Sequence, residues 1–114
     1  MGRKTEHMIW WRLTKNEKWD LLRKVMMDVG AAGQQEHRFF VERKQILEII
    51  RKVAIDILNT KLTNEESYLI FWNWFCDGMF EMLATNRFKG RGRAVHAFKF
   101  NEKAHWLLKN HIRY

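Results

Sequence analysis

The stretch from Asn86 to Phe100, NRFKGRGRAVHAFKF, carries Arg87, Lys89, Arg91, Arg93 and Lys99 and no acid. Four of these cations fall within seven positions, Arg87 to Arg93. Residues of this type at this density bind anions. An arginine fork can make two parallel hydrogen bonds to one phosphate, and lysine adds a point charge. Gly90 and Gly92 leave the backbone open to close approach, so peptide N–H groups can add contacts to phosphate oxygens. The chemistry implied is electrostatic recognition of a polyanion, with counterion release and a strong dependence on salt.

The distribution of charge supports that reading. The chain has 21 Lys+Arg and 13 Asp+Glu, a net of +8. Divided after Leu83, the first part holds 13 basic and 12 acidic residues, a net of +1. The remainder holds 8 basic residues against Glu102 alone, a net of +7, with His96, His105 and His111. An even spread of lysines would serve solubility, whereas a concentrated excess is the footprint of a polyanion site. Lys103, Lys109 and Arg113, on or just after a final helix, extend the site. Basic residues there also suit the C-terminal end of a helix dipole.

Aromatic residues interleave with the basic ones. Phe88 stands between Arg87 and Lys89, and Trp10 and Trp11 precede Arg12. Such interleaving is used by single-strand binders. Core packing is the competing role, and it is the one expected of the two tryptophans.

Other chemistry finds less support. Asp77 and Glu81 are one helical turn apart, but no His-x3-His or Cys-x2-Cys accompanies them, so a polar surface ridge is expected. His96, Asn101 and His105 lack the spacing of a metal-dependent nuclease. The GRG sequence lacks the length and following helix start of a phosphate-binding loop. Ser67 is the only serine. The expectation is a protein without enzymatic activity, metal or cofactor.

The elements that must carry the basic stretch follow from periodicity and caps. His7–Leu13 is rich in β-formers and reads as a strand. Thr14 and Glu17 form a capping box for a helix with Trp19, Leu22, Met26 and Val29 on one face, and Gly30 is its expected stop. A second, amphipathic helix is expected from Gln35 to Asn59. Its apolar stripe comprises Phe39, Ile46, Ile49, Ile50, Val53, Ile57 and Leu58. Thr63 and Glu66 repeat the capping box before a third helix, apolar nearly all round to Leu83. Strands at Thr85–Lys89 and Ala94–Phe100 then flank a glycine turn. Asn101 caps a last helix to about Ile112, with Ala104, Leu107, Leu108 and Ile112 inward.

The expected fold is α+β, a helix-rich domain in the order β-α-α-α-β-β-α with a small antiparallel sheet and a basic hairpin. Three helices ahead of a basic hairpin is also the order of a winged helix. There the helix before the hairpin reads bases with polar side chains, whereas here it is oily. Contacts from the hairpin, the last helix and an N-terminal arm with Arg3 and Lys4 favour backbone or shape recognition.

At 114 residues the chain is expected to be one domain, with residues 1–6 as a flexible arm. One cysteine, Cys76, excludes an internal disulfide and fits a reducing compartment. The N-terminus shows no apolar segment of the signal-peptide kind. The most apolar run is short for a membrane span and carries Asn73, Asp77 and Glu81. These features point to a cytoplasmic protein without a membrane partner. The expected function is binding of nucleic acid, DNA or RNA, as a regulatory or accessory factor. The alternative is an inhibitor or adaptor that docks its basic face on an acidic protein, a style common among phage and mobile-element chains. The aromatic surplus adds a homodimer as a third arrangement.

Overall fold

The computed structural model describes residues 9–34, 39–85 and 95–110. A single-turn helix α1 (Ile9–Arg12) leads into α2 (Lys15–Gly33). A two-residue strand β1 (Val41–Glu42) runs directly into α3 (Arg43–Leu58). Then come α4 (Asn64–Cys76), the hairpin strands β2 (Phe80–Thr85) and β3 (Val95–Phe100), and α5 (Glu102–Lys109). The sheet is antiparallel in the order β1-β3-β2. The α+β class, the predominance of helix and the small antiparallel sheet are as expected.

Local sequence dictates the helix starts. Thr14 Oγ1 accepts from the Glu17 amide at 3.1 Å, and Glu17 Oε1 accepts from the Thr14 amide at 2.8 Å. Thr63 and Glu66 repeat both bonds at 3.1 and 2.8 Å. Asn101 caps α5 by accepting from the Ala104 amide. Each box satisfies two of the amides a helix start leaves without partners.

Several elements differ from the sequence reading. The predicted strand at His7–Leu13 is, where described, the helical turn α1, packed against α4. The third strand of the sheet is β1, paired with β3. Trp11 is exposed on this turn, with Lys18 Nζ 5.7 Å from its ring, so it is not a core residue. The first long helix does not stop at Gly30 but runs on to Gly33. Ala31 and Ala32 are the strongest helix formers, and one glycine costs only about 1 kcal/mol. The next helix starts at Arg43, because Val41 and Glu42 pair with Phe98 and Ala97 of β3. Phe39 therefore lies outside the helix and is exposed, and Ile57 is exposed near its end.

The largest correction is at α4. It ends at Cys76, and Phe80–Leu83 form strand β2. Gly78 adopts φ +75°, its amide bonds Phe75 O, and the Met79 amide bonds Trp74 O. Those two bonds are the Schellman arrangement, which uses a left-handed glycine to close a helix. Asn101 locks the corner, donating from Nδ2 to Gly78 O at 2.7 Å and from its own amide to Met79 O at 2.9 Å.

The core follows from this turn. One sheet face sets Val41, Phe98 and Phe100 against α4, with Phe71 5.1 Å from Phe98 and 4.9 Å from Phe80 between ring centres. Helices α2 and α3 supply Leu21, Leu22, Val25, Ile46, Ile50 and Val53, all essentially without solvent exposure. The predicted inward residues Trp19, Leu22, Met26 and Val29 are all buried.

Candidate nucleic-acid interface

Strands β2 and β3 pair from Phe80↔Phe100 to Thr85↔Val95, so residues 86–94 connect two antiparallel strands. Arg87, Lys89, Arg91 and Arg93, with Phe88, belong to that connection and lie outside the described residues. So do Arg113, His111 and the N-terminal Arg3 and Lys4.

The described candidates fall in separate places. Lys99 is opposite Glu81 on β2, and its Nζ sits 5.2 Å from the centre of the Phe40 ring. By the period of a strand it faces away from the side that carries His96. Lys103 Nζ donates to Asp77 O at 2.7 Å, so it closes the C-terminal end of α4. That contact suits both the unpaired carbonyl and the negative end of the helix dipole. Lys109 is exposed at the end of α5, beside the exposed Trp106.

Sequence reasoning missed a second group of cations. Val41 pairs with Phe98 and Glu42 with Ala97, and the next step of that register sets Arg43 beside His96. Helix α3 begins there, and Arg43, Leu47 and Arg51 follow at i, i+4 and i+8 along one face. Together with Lys44, Asn64 and His96 they line a groove of ≈ 500 Å³ at the root of the hairpin. Three cations and His96 stand there with one carboxylate, Glu42.

Two of the arginines are held. Arg51 Nη1 donates to Ser67 Oγ at 3.1 Å, and Ser67 itself donates to Asn64 O at 2.8 Å. Ser67 is fully buried, which fixes this anchor. The Arg43 guanidinium lies 5.5 Å over the Tyr68 ring. The first turn of α3 reads Arg43, Lys44, Gln45, whereas α2, α4 and α5 each carry an acid there. Cations at the positive end of a helix dipole are unfavourable; Glu42, the N-cap of α3, offsets part of that cost, and an anion in the groove would offset more. A sequence signal did exist: Arg43, Lys44 and Arg51 share part of a helix circumference. It reads as an ordinary solvated face until β1 sets it beside β3.

The remaining constellations do not assemble. Asp77 is the C-cap of α4 and Glu81 lies on β2, so they are not a turn apart on one helix. His96 and His105 line different grooves, and Asn101 is engaged in capping. Among the described residues there is no cluster of three metal-ligating side chains. No helix among them is long and apolar enough to cross a membrane. No family model, curated protein or solved structure matches the chain.

Proposed function

We propose that the protein is a non-enzymatic nucleic-acid-binding factor that engages the phosphate backbone through its basic hairpin. The observation that carries this reading is the net charge of +7 on residues 84–114, centred on the β2–β3 connection. The groove supports it, because it sets Arg43, Lys44 and Arg51 beside His96, two residues from that connection. Lys109, exposed on α5, is a further phosphate contact in this reading. Lys99 and Lys103 take a smaller part, since one rests on Phe40 and the other closes α4. Binding of this kind fixes position along a strand and carries little base information.

Fluorescence anisotropy on labelled duplex DNA, single-stranded DNA and RNA, at two salt concentrations, tests the proposal. Affinity should fall steeply with salt. Arg91→Glu/Arg93→Glu should weaken binding at least tenfold and lower the salt slope by about two, one for each lost phosphate contact. Lys44→Glu, at the exposed rim of the groove, should act in the same direction with a smaller effect.

A second reading has its own observation. Met82 and Trp106 are exposed large apolar side chains, and Trp106 lies beside Lys103 and Lys109, a mixture that suits an acidic protein partner. Weak nucleic-acid binding that these substitutions leave unchanged would favour it.

A further inference from the structure

Helix α4 carries aromatic residues on both sides, and those on its outer side reach solvent. Tyr68 and Trp72 are 40% and 45% exposed although Ile70, Phe71 and Trp74 of the same helix are buried. Their rings lie 6.2 Å apart at 19°, and the Trp72 and Phe75 rings lie 5.3 Å apart at 22°. The Arg43 guanidinium continues the row over Tyr68. The result is a ledge of nearly parallel π-faces closed at one end by a cation. Single exposed aromatics are ordinary on protein surfaces, but an aligned pair with an arginine is a stacking surface.

This ledge adjoins the basic groove. A shallow pocket lined by Leu47, Asn64, Glu65, Tyr68 and Leu69 shares Leu47 and Asn64 with the groove of Arg43, Lys44 and Arg51. Glu65 borders Tyr68 on that side and disfavours phosphate there, so a bound backbone is directed toward Arg43 and Arg51. A strand with its phosphates on those arginines would have its bases turned toward Tyr68 and Trp72. Duplex DNA cannot use the ledge, because its bases are already stacked and paired.

We infer that Tyr68 and Trp72 form a base-stacking platform for single-stranded nucleic acid whose backbone follows the Arg43–Arg51 groove. This inference rests on the phosphate-binding reading above and adds the strandedness of the ligand.

The test compares a labelled 20-nucleotide oligo(dT) with a 20-base-pair duplex, using the full chain and its Tyr68→Leu, Trp72→Leu and double variants. Leucine retains apolar area and helix propensity but has no π-face. Circular dichroism and thermal melts would establish that the variants fold. Wild type should prefer the single strand. Each substitution should weaken oligo(dT) binding about tenfold, as expected for loss of one stacked base. Duplex affinity should stay within about twofold. Quenching of tryptophan fluorescence by oligo(dT) should also be smaller in Trp72→Leu.

Folded variants that keep wild-type affinity for oligo(dT) would overturn the platform and leave phosphate binding standing. A wild-type preference for duplex would do the same. Failure of the wild type to bind either probe would overturn the platform, and failure to bind RNA as well would overturn both readings. Loss of self-association in the double variant, with oligo(dT) affinity unchanged, would reassign the ledge to a second copy of the chain.

Discussion

Helices α2 and α4 begin alike and end differently. Each opens with a Thr-x-x-Glu capping box of the same bond lengths, and each meets a glycine late in its course. Helix α2 runs through Gly30 for three more residues, whereas α4 has closed by the time the chain reaches Gly78. What surrounds the glycine decides. Gly30 precedes two alanines and has nothing within 4 Å of where a Cβ would stand. Gly78 is followed by Met79, which is fully buried and bonds back to Trp74 O. Asn101 then ties the corner to β3 and α5. A glycine permits a stop, and tertiary partners for the next residues enforce it. The stop matters for function, since it releases Phe80–Thr85 as the strand that carries the basic connection.

The true end of α2 gives the largest effect. A Cβ on Gly33 would stand 2.7 Å from Phe39 O and 3.2 Å from its carbonyl carbon, so backbone would have to move. Phe39 itself is held at φ 66°. Gly33→Ala should therefore cost about 2 kcal/mol, within the range for overpacking. Urea denaturation would measure it. A neutral result would mean that the backbone at Phe39 yields easily.

Gly78→Ala should cost less, on the order of 1 kcal/mol, and for another reason. Its Cβ would meet only Lys103 Nζ at 3.9 Å, so the cost is that of a left-handed residue with a side chain. Gly78→Asn should recover part of the loss, because asparagine tolerates this region. Equal losses for alanine and asparagine in denaturation would show that space, not backbone conformation, is limiting.

The same contrast explains what could be read from sequence. The caps at Thr14, Thr63 and Asn101 are short patterns whose partners lie three residues away, and all three are present. The inward face of α2 was legible because helical periodicity repeats over several turns. The strand β1 has two residues and no period, and only its pairing with Phe98 and Ala97 makes it a strand. The run from Tyr68 to Leu83 is apolar almost throughout, and such a run does not separate buried helix from buried strand. Asp77–Gly78 is a turn signal within that run, and the apolar residues around it obscure it. For the candidate site, the hairpin cations are contiguous in sequence and need no fold to be found. The groove joins residues from 43 to 96, and only the β1–β3 register brings them together. Lys103 shows the converse: its charge was legible, but its bond to Asp77 O depends on where α4 stops.

Gly30→Ala is the smallest of these effects and has the opposite sign. The site is exposed, its position is interior to α2, and an added methyl meets no neighbour. Alanine also restricts the unfolded chain more than glycine does, so the folded state loses less entropy on forming. The substitution should stabilise the protein by ~0.5–1 kcal/mol, which corresponds to a rise in Tm of roughly 2–5 °C for a chain of this size. Differential scanning calorimetry would resolve it. The double variant Gly30→Ala/Gly33→Ala is the sharper measurement, because the two added methyls would meet no common neighbour outside the helix. Additive effects, a small gain minus a larger loss, would confirm that one glycine is merely tolerated and the other required. A loss in Gly30→Ala would mean that α2 needs the conformational freedom of glycine at that position.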